Sequence, residues 1–79
     1  MILNINYFGL VAEATQCQQE QLTVAADCTV AALQQQLYQL HPALQDKPFR
    51  VAVNRAFVPA EQLLQAADEI ALLPPFAGG

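Results

Sequence analysis

The chain opens on an alternation. In "MILNINYF", Leu3, Ile5 and Tyr7 are separated by Asn4 and Asn6. That is the period of a half-buried strand, whose successive side chains point to opposite faces. Gly9 ends the run, and "LVAEATQ" behind it predicts a short helix over one end of a sheet. "QLTVAA", Gln21 to Ala26, again puts Leu22 and Val24 on one face, so a second strand is expected to pair with the first like a hairpin. The period then changes. Val30, Leu33, Leu37 and Leu40 recur at spacings of three and four, and most of the intervening glutamines fall elsewhere. This predicts an amphipathic helix with a polar outer face. Thr29 is its candidate N-cap, and Asp27 puts negative charge near its positive end. His41-Pro42 stops it, because proline disfavours helical geometry at the residue before it.

"PALQDKP" reads as a loop. "FRVAVN" alternates again, with Phe49, Val51 and Val53 on one face and Arg50, Ala52 and Asn54 on the other. Asn54-Arg55 turns the chain into a short strand around Phe57 and Val58, which Pro59 ends. One helical turn is expected within "AEQLLQAADE" and a last strand in "EIALLP". One main helix against a mixed sheet of about five strands is an α+β layer architecture. The order strand, strand, helix, strand, short strand, strand is that of the β-grasp, or ubiquitin-like, fold, whose first and last strands lie parallel at the centre. Residues 1–73 are read as this domain and 74–79 as an extended tail.

Composition narrows the function. The 79 residues allow one core, with 54% hydrophobic and 13% charged residues. That balance suggests apolar surface for a partner. The net charge is −4, and Lys47, Arg50 and Arg55 are the only strong bases. With no basic stripe to neutralise phosphates, nucleic-acid binding is disfavoured. An acidic surface suits a basic protein partner instead. The opening segment has no basic stretch before it and is interrupted by asparagines, so it reads as neither signal peptide nor membrane span. A cytoplasmic location is expected.

Internal chemistry is sparse. Cys17 and Cys28 fit no C-x-x-C spacing and are read as free thiols in a reducing compartment. Cys28 precedes a helix start, where the dipole could lower its thiol pKa; the plainer reading is a small apolar filler. His41, the only histidine, reads as a helix-end residue, and with the two cysteines it makes no familiar zinc spacing, so no metal site is expected. The glycines stand at 9, 78 and 79, which excludes a phosphate-cradling loop, and no two acidic residues have a spacing that specifies acid–base work.

The end, "PPFAGG", is different. Pro74 and Pro75 hold the backbone extended and cannot continue a ladder, so they carry the chain out of the sheet. The six residues from Pro74 to Gly79 reach roughly 20 Å when extended, at about 3.3 Å each. Phe76 is an apolar anchor for a partner pocket, followed by Ala77. Gly78 and Gly79 can pass a narrow channel and leave the last carboxylate unhindered. A lone Gly-Gly says little. An extended arm with an aromatic anchor on a β-grasp domain points to the carboxylate of Gly79 as the working group.

These segments resemble the family of small sulfur-carrier subunits of molybdopterin synthase, relatives of the thiamine-pathway sulfur carrier and of ubiquitin. "INYFG" is similar to the family's first strand, "CTVAALQQQLYQLHP" to its main helix, "VAVNRAFV" to its strand-turn-strand, and "DEIALLPPFAGG" to its last strand and tail. The resemblance implies a chain that is not an enzyme on its own. It implies that a ubiquitin-activating-like adenylyltransferase uses ATP and magnesium to adenylate Gly79, and that a sulfur donor enzyme converts the acyl-adenylate to a thiocarboxylate. The large catalytic subunit, in a heterotetramer with two copies of each chain, then passes the sulfur to a pyranopterin precursor in molybdenum cofactor biosynthesis. By the same resemblance Pro74, Pro75, Phe76, Ala77 and Gly78 guide the arm, and Phe8, Phe57 and Leu73 are candidates for docking. Two departures stand out. "QAADE" lacks a glycine common before the last strand, and "GLVAEATQ" lacks a basic residue often found after the first. The competing readings are a thiamine-pathway carrier, a ubiquitin-like modifier that joins Gly79 to lysines, and an interaction domain whose tail is never activated.

Overall fold

In the computed structural model, which describes residues 1–75, the first alternating run is strand β1 (Ile2–Tyr7). Leu3, Ile5 and Tyr7 are buried on its inner side. Helix α1 (Leu10–Thr15) follows and ends at Gln16, whose φ of 63° is left-handed. Strand β2 (Gln19–Thr23) returns antiparallel to β1, with Leu3 opposite Leu22 and Asn6 opposite Gln19. It therefore starts two residues earlier than expected. Val24 stays bonded beyond it, its N–H donating to the Met1 carbonyl at 2.8 Å.

Helix α2 spans Val30–Leu40, as the periodicity predicts. Its opening amides are all satisfied, as a helix start requires. The Thr29 hydroxyl accepts from Ala32 N at 3.1 Å, and Val30 N and Ala31 N donate to the carbonyls of Gln62 and Ala60. Those carbonyls explain a correction. The expected helical turn in "AEQLLQAADE" is absent, because this backbone is spent on capping α2 and on an antiparallel bridge between Leu63 and Thr29. Leu64 pins the segment into the core. Leu40 is a second correction: the last helical residue is half-exposed, while Leu44, in a 3₁₀ turn over Pro42–Asp46, is fully buried. The "PALQDKP" loop is thus partly ordered, with Pro42 at the turn's start, where a missing N–H costs nothing.

Strand β3 (Arg50–Val53) turns through Asn54-Arg55 into β4 (Ala56–Phe57), and β5 (Glu69–Leu73) closes the sheet. The order is β2-β1-β5-β3-β4, with β1 and β5 parallel and the other pairs antiparallel. This is the five-stranded mixed sheet with one main helix expected of a β-grasp protein. Val30, Leu33 and Leu37 of α2 share one core with Ile5, Val51, Ile70 and Leu72 of the sheet.

The glycine missing from "QAADE" is not needed. No residue there has a positive φ. Asp68 closes the turn itself: its N–H donates to the Gln65 carbonyl at 3.0 Å and its carboxylate accepts from Gln65 N at 2.8 Å. The Asn54 amide donates to the same side chain at 2.9 Å.

Candidate functional site

The chain leaves the sheet from its middle. β5 lies between β1 and β3, with Leu72 beside Tyr7 and Leu73 beside Arg50. The Phe8 amide donates to the Leu72 carbonyl at 3.2 Å. Pro74 and Pro75 then have no N–H with which to extend a ladder, and both are partly buried. The candidate residues Phe76, Ala77, Gly78 and Gly79 lie outside the described residues.

The alternation in β5 turns Ile70 and Leu72 inward and Glu69, Ala71 and Leu73 to the other face. One row across that outer face runs Gln19, Asn6, Ala71, Ala52, Phe57, since each is the register partner of the next. Two alanines in the centre leave a trough. Phe8, Phe57 and Leu73 line it together with Ala52 and Ala71, and Arg55 and Glu69 are its charged members. The groove holds about 290 Å³. Phe8 and Phe57 are 47% and 46% exposed, which is large apolar area for a surface. None of the three docking candidates is in the core, and one groove gathers all three at the end of β5. Arg50 reaches over the Phe57 ring, its guanidinium carbon 3.8 Å from the ring centroid. The other half of the face is uncharged amide, with Asn4 opposite Gln21 and Asn6 opposite Gln19.

A polar cluster on the inner side escaped the sequence reading. Glu20 stands opposite Ile5, in phase with Leu22 and Val24, so its carboxylate points toward the core side. The Tyr7 phenol donates to Glu20 Oε1 at 2.6 Å, and His41 Nε2 lies 2.8 Å from the same oxygen. The Tyr7 and His41 rings meet edge to face. Burial pushes the Glu20 carboxyl up, but the hydrogen bonds from Tyr7 and His41 outweigh it and hold its pKa below the ordinary value. Burial, followed by the bond to Glu20, raises the phenol of Tyr7. His41 does terminate α2, its N–H donating to the Leu37 carbonyl at 2.7 Å. Its ring ties the helix end to β2 and β1. The signal was the phase of Glu20, an acid where an alternating strand calls for an apolar residue.

Cys28 is buried, and burial, then the charge of Asp27, raises its thiol pKa. The plainer reading fits this placement, and Cys28 packs as a core filler. Among the described residues no group of histidine, cysteine and acidic side chains could hold a metal ion, and no helix is long and apolar enough to cross a membrane.

A fold whose last strand releases the chain beside an apolar groove can be compared with known proteins. The ThiS family model matches residues 5–79. This chain belongs to the ThiS family. It is similar to the molybdopterin synthase sulfur carrier subunit of Mycobacterium tuberculosis, at 39% identity over 98% of this chain and 96% of that protein. Among solved structures it is similar to SAMP1, a small archaeal modifier protein from Haloferax volcanii, with a TM-score of 0.84, 26% identity and full coverage of both chains. It shares its fold with a chain in the complex of subunits 1 and 2 of the molybdopterin-converting factor from Helicobacter pylori, with a TM-score of 0.70, 23% identity and full coverage of both.

Proposed function

We propose that this ThiS-family chain is the sulfur carrier of a molybdopterin synthase, with the carboxyl group of Gly79 as its working group. The observation that carries the reading is a near full-length relationship to a molybdopterin synthase sulfur carrier subunit in a chain whose last strand ends beside an apolar groove and continues as "PPFAGG". The chemistry follows from the reactivity of carboxylates. A carboxylate resists nucleophiles, so an activating enzyme supplies ATP and magnesium. The Gly79 oxygen attacks the α-phosphorus, pyrophosphate leaves, and an acyl-adenylate forms. Hydrosulfide from a sulfur donor attacks the acyl carbon and AMP leaves, which gives the thiocarboxylate. Sulfur is now the nucleophile, and the large synthase subunit directs it onto a pyranopterin precursor. Every acid or base needed belongs to a partner. The groove of Phe8, Phe57 and Leu73 is the docking surface, used by the activating enzyme and the large subunit in turn, and Pro74 to Gly78 deliver the terminus.

Intact mass spectrometry tests this. Incubated with the activating enzyme, ATP, magnesium and a sulfide source, the chain exchanges one C-terminal oxygen for sulfur, a gain of about 16 Da at Gly79. An unchanged mass, under conditions that charge a known carrier, overturns the reading. The structural likeness to small archaeal modifier protein 1 favours one second reading, in which Gly79 forms isopeptide bonds with lysines. Adducts on other proteins in extracts, without thiocarboxylate formation, support it instead.

A further inference from the structure

Gly9 follows β1 with φ +57° and ψ −132°, angles that L side chains rarely adopt. A Cβ there would stand 2.9 Å from Cγ of Pro74 and 3.6 Å from its Cδ. Non-bonded carbons prefer about 3.5–4.0 Å, so the first distance excludes a methyl group unless the ring moves. Two separate features thus require glycine: the backbone angles, and the ring of the residue that starts the arm. Gly9 itself is anchored. Its carbonyl accepts from Glu13 N at 3.2 Å, and Phe8 N holds Leu72 O at 3.2 Å just before Pro74.

We propose that Gly9 is a positioning residue for the C-terminal arm: its missing side chain seats the Pro74 ring, and that contact sets the direction in which the arm leaves the sheet. The inference rests on the sulfur-carrier reading, since it concerns delivery of the Gly79 carboxylate. Leverage makes the contact matter. Five residues follow Pro74, a reach of roughly 17 Å when extended, so a swing of about 30° at the base displaces the end by roughly 9 Å. Reacting groups tolerate about 0.5 Å, so a misdirected arm must be recaptured by its partner on every encounter. The cost falls on productive binding.

The test is a double-mutant cycle on sulfur charging, with the full chain, its activating enzyme, ATP, magnesium and sulfide. It compares the wild type, Gly9→Ala, Pro74→Ala and the double variant at a temperature where circular dichroism shows each one folded. Gly9→Ala pushes the ring out and Pro74→Ala removes it, so each is expected to lower kcat/KM about tenfold, chiefly through KM. Because both break one contact, the double variant also loses about tenfold rather than about a hundredfold. Pro74→Ala carries no strained backbone and keeps the test valid if Gly9→Ala does not fold: a wild-type KM for Pro74→Ala overturns the proposal. So do multiplicative losses, or a folded Gly9→Ala that charges like the wild type. A wild type that is never charged overturns the sulfur-carrier reading itself, and this inference with it.

Discussion

Tyr7 donates its phenolic proton to Glu20 at 2.6 Å across the end of the β1·β2 ladder, and His41 meets the same carboxylate oxygen. The partners favour the ionised carboxylate and lower its pKa from the ordinary 4.5. A folded-state pKa below the unfolded one adds stability that is present above the unfolded pKa and is lost as pH falls through the folded one. The window therefore lies below about pH 4.5. Glu20→Gln, which keeps an acceptor but removes the charge, is expected to cost about 1 kcal/mol at neutral pH. Urea denaturation of both proteins across pH 3–7 checks it. The gap should shrink below pH 4.5, and a constant gap down to pH 3 contradicts the assignment.

The same cluster shows where sequence reasoning stops. Leu3, Ile5 and Tyr7, and Val30, Leu33 and Leu37, were legible because burial on one face imposes a period that any chain must obey. Glu20 was not, because a period identifies the inward position but not the partners, and Tyr7 and His41 come from 13 and 21 residues away. The Ala60–Leu64 segment failed differently. Its local helical preference lost to α2, whose first amides needed acceptors. At the site, the groove residues could be named singly, but their assembly depends on Ala52 and Ala71 meeting in register. Alanine carries no sequence signal of that kind.

Arg55 is strained. The two-residue turn between Val53 and Ala56 gives Asn54 and Arg55 φ values of 52° and 70°, the mirror-image geometry hairpins prefer. Asparagine tolerates it, while an ordinary L residue loses roughly 1–2 kcal/mol. The ion pair with Glu69 offsets little, at 3.9 Å and with an 87% exposed Arg55 side chain. Arg55→Gly is therefore expected to stabilise the fold by about 0.5–1 kcal/mol after the added chain entropy of glycine. A melt should show Tm higher by a few degrees, and a lower Tm contradicts the account.

Phe57 separates docking from folding. It is half-exposed and lies under Arg50, so Phe57→Ala loses a cation–π contact of about 0.5–1 kcal/mol and little core. If the groove docks partners, the same truncation costs at least about 1–2 kcal/mol of binding, roughly tenfold in Kd. Calorimetry against the large subunit, paired with a urea melt, reads both. An unchanged Kd removes Phe57 from the docking surface.

Removal of Gly79 distinguishes reach from chemistry. The shortened chain still ends on an unhindered glycine carboxylate, now that of Gly78, so its intrinsic reactivity toward ATP is unchanged. The carboxylate has only moved back by about 3.3 Å. In a partner site that fixes the reacting atom, a displacement of about 1 Å already costs on the order of a hundredfold. Thiocarboxylate formation is therefore expected to fall below detection by intact mass. The buried residues of β5 end at Leu72, so the melt should stay within about 0.5 kcal/mol of the full chain. Charging at the full-length rate would mean that the arm is not held in register by the activating enzyme, and that its length carries no information.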